Sequence, residues 1–229
     1  MSARFVVRFG RAAILVAAGA TTVVLPAQER PGWPDTYQTR LTALALIQTL
    51  NASILGSRSA TLSLERWCRD HALAPEPTIV ARPVPSVGQA PTVEQRQRLE
   101  VTATDEVKYR KVQLVCGSRV LSEAENWYVP SRLTPEMNRV LETTQTPFGR
   151  VVAPLDPYRL TFVVELLWSP LPDGWETGGG PAATGRELAI PSALFLHGAV
   201  LYSSGHRPFA EVREIYQRDL LAFPPPPAR

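Results

Sequence analysis

Few residues of this chain carry chemistry in a recognisable pattern. It has no Gly-x-Ser-x-Gly elbow, no Walker-type glycine loop and no pair of histidines at helical spacing. Neither a standard acyl-transfer nucleophile, nor a nucleotide phosphate cradle, nor a helical metal pair is therefore indicated. His71, His197 and His206 lie far apart, and each reads first as a core or surface histidine. Gly178, Gly179 and Gly180 stand together, but no helix follows to aim its amides at an anion, so they mark a loop or hinge. Cys68 and Cys116 are the only cysteines. Two thiols cannot complete a structural zinc site. They are read either as a disulfide or as two buried thiols acting as small apolar residues. Asn51-Ala52-Ser53 matches a glycosylation acceptor, but it falls inside a helical pattern and is read as chance.

The charged residues of interest lie in the elements that must hold them. Ala43, Ile47, Leu50 and Ile54 recur at spacings of three and four, which predicts a helix over 37–55 ended by Gly56, with Pro34 suited to its first turn. A second helix starts near Ser59 with Leu64, Trp67 and Cys68 inward, and stops before Pro75. A short strand is expected over 78–84 and a helical turn over 92–99. From 107 to 116, Arg110, Val112, Leu114 and Cys116 alternate with Tyr109, Lys111, Gln113 and Val115, the pattern of a strand with two unlike faces. Gly117-Ser118 turns it back into a hairpin over 120–129. Thr134 caps a further helix with Pro135 and Glu136 in its first turn. Later come an apolar strand over 158–168, a proline- and glycine-rich loop over 169–185, and a hairpin of strands at 194–202 and 209–221. Helices come first and hairpins later, without βαβ alternation. The fold class is therefore α+β, with one antiparallel sheet and helical flaps covering one face.

Three segments taken in order resemble a known family. They are Arg110-Lys111-Val112-Gln113-Leu114, then Asn126-Trp127-Tyr128-Val129-Pro130, then Thr146-Pro147-Phe148-Gly149-Arg150. Ser59-Ala60-Thr61 with Leu64-Glu65, and Gly205-His206-Arg207-Pro208 with Glu214-Ile215-Tyr216, extend the match over most of the mature chain. This order resembles the chorismate pyruvate-lyases and the related ligand-sensing domains of some transcription regulators. The resemblance implies elimination of pyruvate from chorismate to give 4-hydroxybenzoate, a reaction for which no metal or organic cofactor is required. The alternative is an exported, non-catalytic binding protein for a small aromatic acid on the same fold.

It also implies roles. Arg110 would grip a carboxylate as a planar fork, helped by the main-chain N–H at Phe148. Glu214 would meet a ring hydroxyl, and Ala60 on the early helical flap would touch the ligand. A gapless count back from Cys116 places Lys111 on the family arginine. Arg110 is preferred because it shares a strand face with Val112 and Leu114. The count from Pro208 similarly lands on Arg213, with Glu211 a third candidate, whereas Glu214 matches by type. Asn126-Trp127-Tyr128 stands where the family has small or apolar residues.

The chain as a whole is globular rather than disordered, with 45% apolar and 20% charged residues. Its net charge of +3 comes without a basic cluster, which argues against a nucleic-acid partner. Arg4, Arg8 and Arg11 precede an apolar run from Ala12 to Leu25 and then Pro26-Ala27. This reads as a signal peptide over 1–27, cut before Gln28, with one domain over 28–229 ending in a proline-rich tail. The run is shorter than the ~20 residues a membrane span needs. The mature protein is expected in the periplasm or outside the cell, with no stable membrane span. That compartment favours pairing of Cys68 with Cys116.

Overall fold

The first helix, α1 (Tyr37–Leu55), begins where a hydroxyl can take over an orphan amide: Thr36 accepts from the Thr39 N–H at 3.1 Å. Pro34 does not enter that first turn. It lies before the cap in an isolated antiparallel bridge with Glu187, because the Thr36 cap starts the helix later. The four apolar positions of α1 are all buried. In α2 (Ala60–Asp70), Ser59 is the cap and Leu64, Trp67 and Cys68 face inward. These statements concern residues 32–227, which the computed structural model describes. The leader expected over 1–27 lies outside them.

Six strands form one antiparallel sheet in the order β1-β2-β3-β6-β5-β4. They are β1 (Ile79–Pro83), β2 (Lys108–Cys116), β3 (Arg119–Tyr128), β4 (Tyr158–Leu166), β5 (Ala193–Tyr202) and β6 (Pro208–Gln217). The β2–β3 turn has Gly117 at φ 57°, the left-handed conformation that favours glycine. Between β1 and β2 runs α3 (Val93–Arg98), closed by a capping box between Thr92 and Gln95. After β3 come α4 (Pro135–Thr143), capped by Thr134, and the single turn α5 (Phe148–Val151). The α+β class and the antiparallel sheet are as the sequence implied. The last strand is shorter than expected, because Arg218–Leu221 turns into a 3-10 helix.

Two apolar clusters fill one face of the sheet. The first joins α1 and α2 to Val112, Leu114, Ala124, Phe195 and Tyr216; the second joins α4 and α5 to Tyr128, Ala199, Leu201 and Val212. We call this the front face. The back face is not bare, contrary to helices on one side only. Trp127 points there, packed with Leu99 and Val129, and its indole donates to the Gln89 carbonyl at 3.2 Å. A side chain of that size needs its own cover, which α3 and the turn after it supply. At the open edge, β4 leaves Leu160, Phe162 and Val164 exposed.

Cys68 of α2 and Cys116 at the end of β2 form a disulfide, with Cα atoms 6.5 Å apart and both residues fully buried. The pairing expected from the sequence is present. It staples the flap helix to the sheet.

Candidate functional site

Between the two front-face clusters, the sheet and helices leave a cavity. Its floor is Val112 and Leu114 of β2, Ala124 and Asn126 of β3, Val212 and Glu214 of β6, Leu201 of β5 and Arg159 of β4. Strand register explains the set. Val112 pairs with Ala124, Ala124 with Glu214, Asn126 with Val212, and Arg159 with Leu201, so these side chains project to the same side. The roof is the start of α2, Arg58 to Thr61, and the start of α5, Phe148 and Gly149, with Val152 and Pro157 at the rim. The free space measures about 40 Å³, room for water but not for a drug-sized ligand with the roof in this position.

The roof is two chain starts pressed together. A Cβ on Gly149 would lie 2.8 Å from the Ser59 hydroxyl and 3.2 Å from that of Thr61. The absence of a side chain is what permits the approach. Arg150 then reaches Glu65 of α2 at 2.6 and 2.7 Å, and Arg58 pairs with Asp156 beyond the cavity rim.

One ion pair dominates the interior. Arg159 Nη2 donates to Glu214 Oε2 at 2.9 Å, and both side chains are nearly excluded from water, at 4% and 9% exposure. The Tyr216 hydroxyl donates to the same Oε2 at 3.0 Å. Burial alone would lower the Arg159 pKa, but the adjoining Glu214 carboxylate outweighs it and the net shift is upward. Tyr216 is pushed well above its ordinary value, by burial first and by the Glu214 charge second, so it stays a donor. His197, opposite Glu214 in the β5–β6 register, is buried with Nε2 2.8 Å from Asn51 Oδ1. Burial lowers its pKa to about 4 against the partial pull of Glu214, so it is neutral at pH 7.

The structure brings some sequence-predicted residues to the cavity and leaves others outside. Ala60, Phe148 and Glu214 line it. Arg110 lies on the front face beside Asn126 but does not line the cavity. Its Nη2 donates to the Thr146 carbonyl at 3.2 Å, its Nη1 is buried without a partner among the described residues, and burial depresses its pKa. Lys111 points to the back face, 3.8 Å from Glu125. Of the three late candidates only Glu214 faces the cavity. Arg213 is exposed and reaches Glu125, and Glu211 is held by a bidentate Arg98 at 2.8 and 2.9 Å.

Arg159, the one cation of the largely apolar strand β4, was not singled out by sequence reasoning. That isolation was the available signal, because a cation facing the core must find a buried partner. Asn51, which begins the chance match to a glycosylation acceptor, lies within α1 and contacts His197 through its Oδ1. Among the described residues no group of three or more His, Cys, Asp or Glu could hold a metal ion, and no helix is long and apolar enough to cross a membrane.

No family model matches the chain. The uncharacterized protein y4mC of Sinorhizobium fredii is 45% identical over 217 residues, covering 94% of this chain and 91% of that protein. Among solved structures, PhnF from Mycobacterium smegmatis superposes with a TM-score of 0.49 at 15% identity, over 76% of this chain and 71% of that one. Its effector domain alone gives 0.47 at 14%, over 74% and 95%. The "possible transcriptional regulator YydK" of Bacillus subtilis gives 0.39 at 16% identity over 63% of this chain, which spans 61% of YydK. At these scores the superpositions carry no argument about function.

Proposed function

Since the chain belongs to the family of the uncharacterized Sinorhizobium fredii protein y4mC, whose name specifies no ligand, we propose from the cavity itself that it is a small-molecule-binding domain for a compact aromatic carboxylic acid. The observation that carries the reading is the enclosed front-face cavity, apolar over most of its wall yet holding Arg159, Glu214 and Asn126. Apolar walls with a few convergent polar groups are what a ring with polar ends requires. At the roof, α2 supplies a helix start, where the Ala60 and Thr61 amides have no intrahelical acceptor. That end suits a carboxylate, and the resemblance to the chorismate lyases implies that the Phe148 main-chain N–H helps to hold one.

Binding without turnover is the version proposed. The small free volume favours a single ring over one bearing an enolpyruvyl arm, since the larger ligand requires more displacement of the 57–61 turn. The lyase reading rests on the sequence resemblance and on Glu214 in the cavity. The expected location outside the cytoplasm weighs against it, because chorismate is an intracellular metabolite.

The test is calorimetry or ligand-observed NMR on the disulfide-bonded chain with benzoate and 4-hydroxybenzoate. Saturable binding of at least one is expected, weakened in Arg159→Met. A pyruvate assay with chorismate should show no release. Binding of neither probe overturns the proposal, and pyruvate release proportional to protein would replace it with the lyase reading.

A further inference from the structure

Asn126 is 3% exposed and lines the cavity, yet its amide makes no hydrogen bond to any described residue. A buried amide normally finds a partner. Glu214 has a matching vacancy in its hydrogen bonding. Arg159 and Tyr216 both donate to Oε2, and no described residue donates to Oε1. The two uncommitted groups are diagonal neighbours on adjacent strands, because Asn126 pairs with Val212 and Glu214 with Ala124. Diagonal positions on one face are about 7–8 Å apart at the backbone, and both side chains extend into the same cavity, so their polar ends can come within the roughly 6 Å that one oxygen spans with two hydrogen bonds.

Resting on the binding function proposed above, we infer that Asn126 is a specificity-determining residue, which together with Glu214 reads a hydroxyl on the ligand ring. The assignment of donors follows from the neighbours. The Glu214 carboxylate is paired with a guanidinium and accepts from Tyr216, so its remaining oxygen is an acceptor and the ligand must donate to it. The Asn126 amide has N–H groups to give back to the same ligand oxygen. A group that donates once and accepts once is a hydroxyl. A methoxy group cannot donate, an unsubstituted ring can do neither, and a second carboxylate would be repelled by Glu214. Sites built to hydrogen-bond a hydroxyl discriminate against analogues lacking it, because the buried polar groups are then left unpaired.

The probes are benzoate, 3- and 4-hydroxybenzoate and 4-methoxybenzoate, titrated into the full disulfide-bonded chain. The wild type should bind one hydroxybenzoate isomer at least tenfold more tightly than benzoate or the methoxy analogue. Asn126→Leu should reduce that preference below threefold. Since the amide has no partner among the described residues, Asn126→Leu should also melt no lower than wild type, whereas an amide kept for structure would lower the melting temperature. Asn126→Ser, which retains a hydroxyl donor on a shorter stem, should keep part of the preference. Benzoate binding with no hydroxyl preference, or a preference undiminished in Asn126→Leu, overturns the role of Asn126 and leaves the binding function standing. Binding of no probe overturns both.

Discussion

Arg159 and Glu214 tolerate loss of their partner differently from loss together. Arg159→Met leaves a buried carboxylate with only Tyr216 to satisfy it, and should cost about 3–5 kcal/mol in urea unfolding. Arg159→Met combined with Glu214→Leu removes both charges and should recover most of that loss, which a double-mutant cycle reads directly. His197 sets the acid behaviour. Its folded pKa is about 4 against an ordinary 6.5, so between those values the unfolded chain takes up a proton that the folded chain refuses. Its contribution to stability is intact above pH ~6.5, falls as the pH drops toward 4, and totals on the order of 3 kcal/mol. His197→Gln keeps a partner for Asn51 and should flatten this part of the stability curve between pH 7 and 4.5. At this scale the sequence was read unevenly. Glu214 was legible because its neighbours Ile215 and Tyr216 matched by type. Arg159 was not, because its role depends on a partner 55 residues away, and no local pattern encodes that distance. Arg110 was legible as a front-face residue, but strand alternation says nothing about where along the strand a cavity opens.

At the level of elements, the roof depends on two starts that nearly touch. Gly149→Ala would drive a methyl into the Ser59 hydroxyl, which caps α2. The expected result is a loss of about 1 kcal/mol, the worth of a disturbed cap, with a larger effect on ligand affinity because Ser59 to Thr61 form the cavity wall. Thermal melts with and without 4-hydroxybenzoate separate the two effects. The disulfide fixes the far part of the same helix, and it closes a loop of 48 residues. Cys68→Ala with Cys116→Ala should therefore lower stability by about 4 kcal/mol on chain-entropy grounds, and reduction by dithiothreitol should reproduce the shift. Element types were largely legible, as were the cap at Thr134 and the helix start at Ser59, whereas the caps at Thr36 and Thr92 emerge only from the structure. The burial of each element was less so. The apolar run of β4 was legible as a strand but not as the sheet edge it occupies, and edge position is set by pairing order rather than by composition.

For the whole molecule, the strand order was the part hidden from sequence: hairpins are local, but which hairpins adjoin is not. Here β1-β2-β3 and β4-β5-β6 are each built from antiparallel neighbours in sequence, and they meet only along β3 and β6. Within the sheet that boundary is the one join between two three-stranded halves. Elsewhere across the chain, Trp33 of the first half donates to the Leu221 and Phe223 carbonyls of the second. The cavity straddles the boundary, with Ala124 and Asn126 on one side and Val212 and Glu214 on the other. A molecule held there would act as a rivet across that seam, added to the β3–β6 ladder and to the side-chain contacts that already cross it. Its occupancy should then be read in dissociation of the seam more than in the rest of the sheet. Amide hydrogen exchange with saturating 4-hydroxybenzoate should slow most along β3 and β6, less along β1 and β4, and the same pattern should fade in Asn126→Leu.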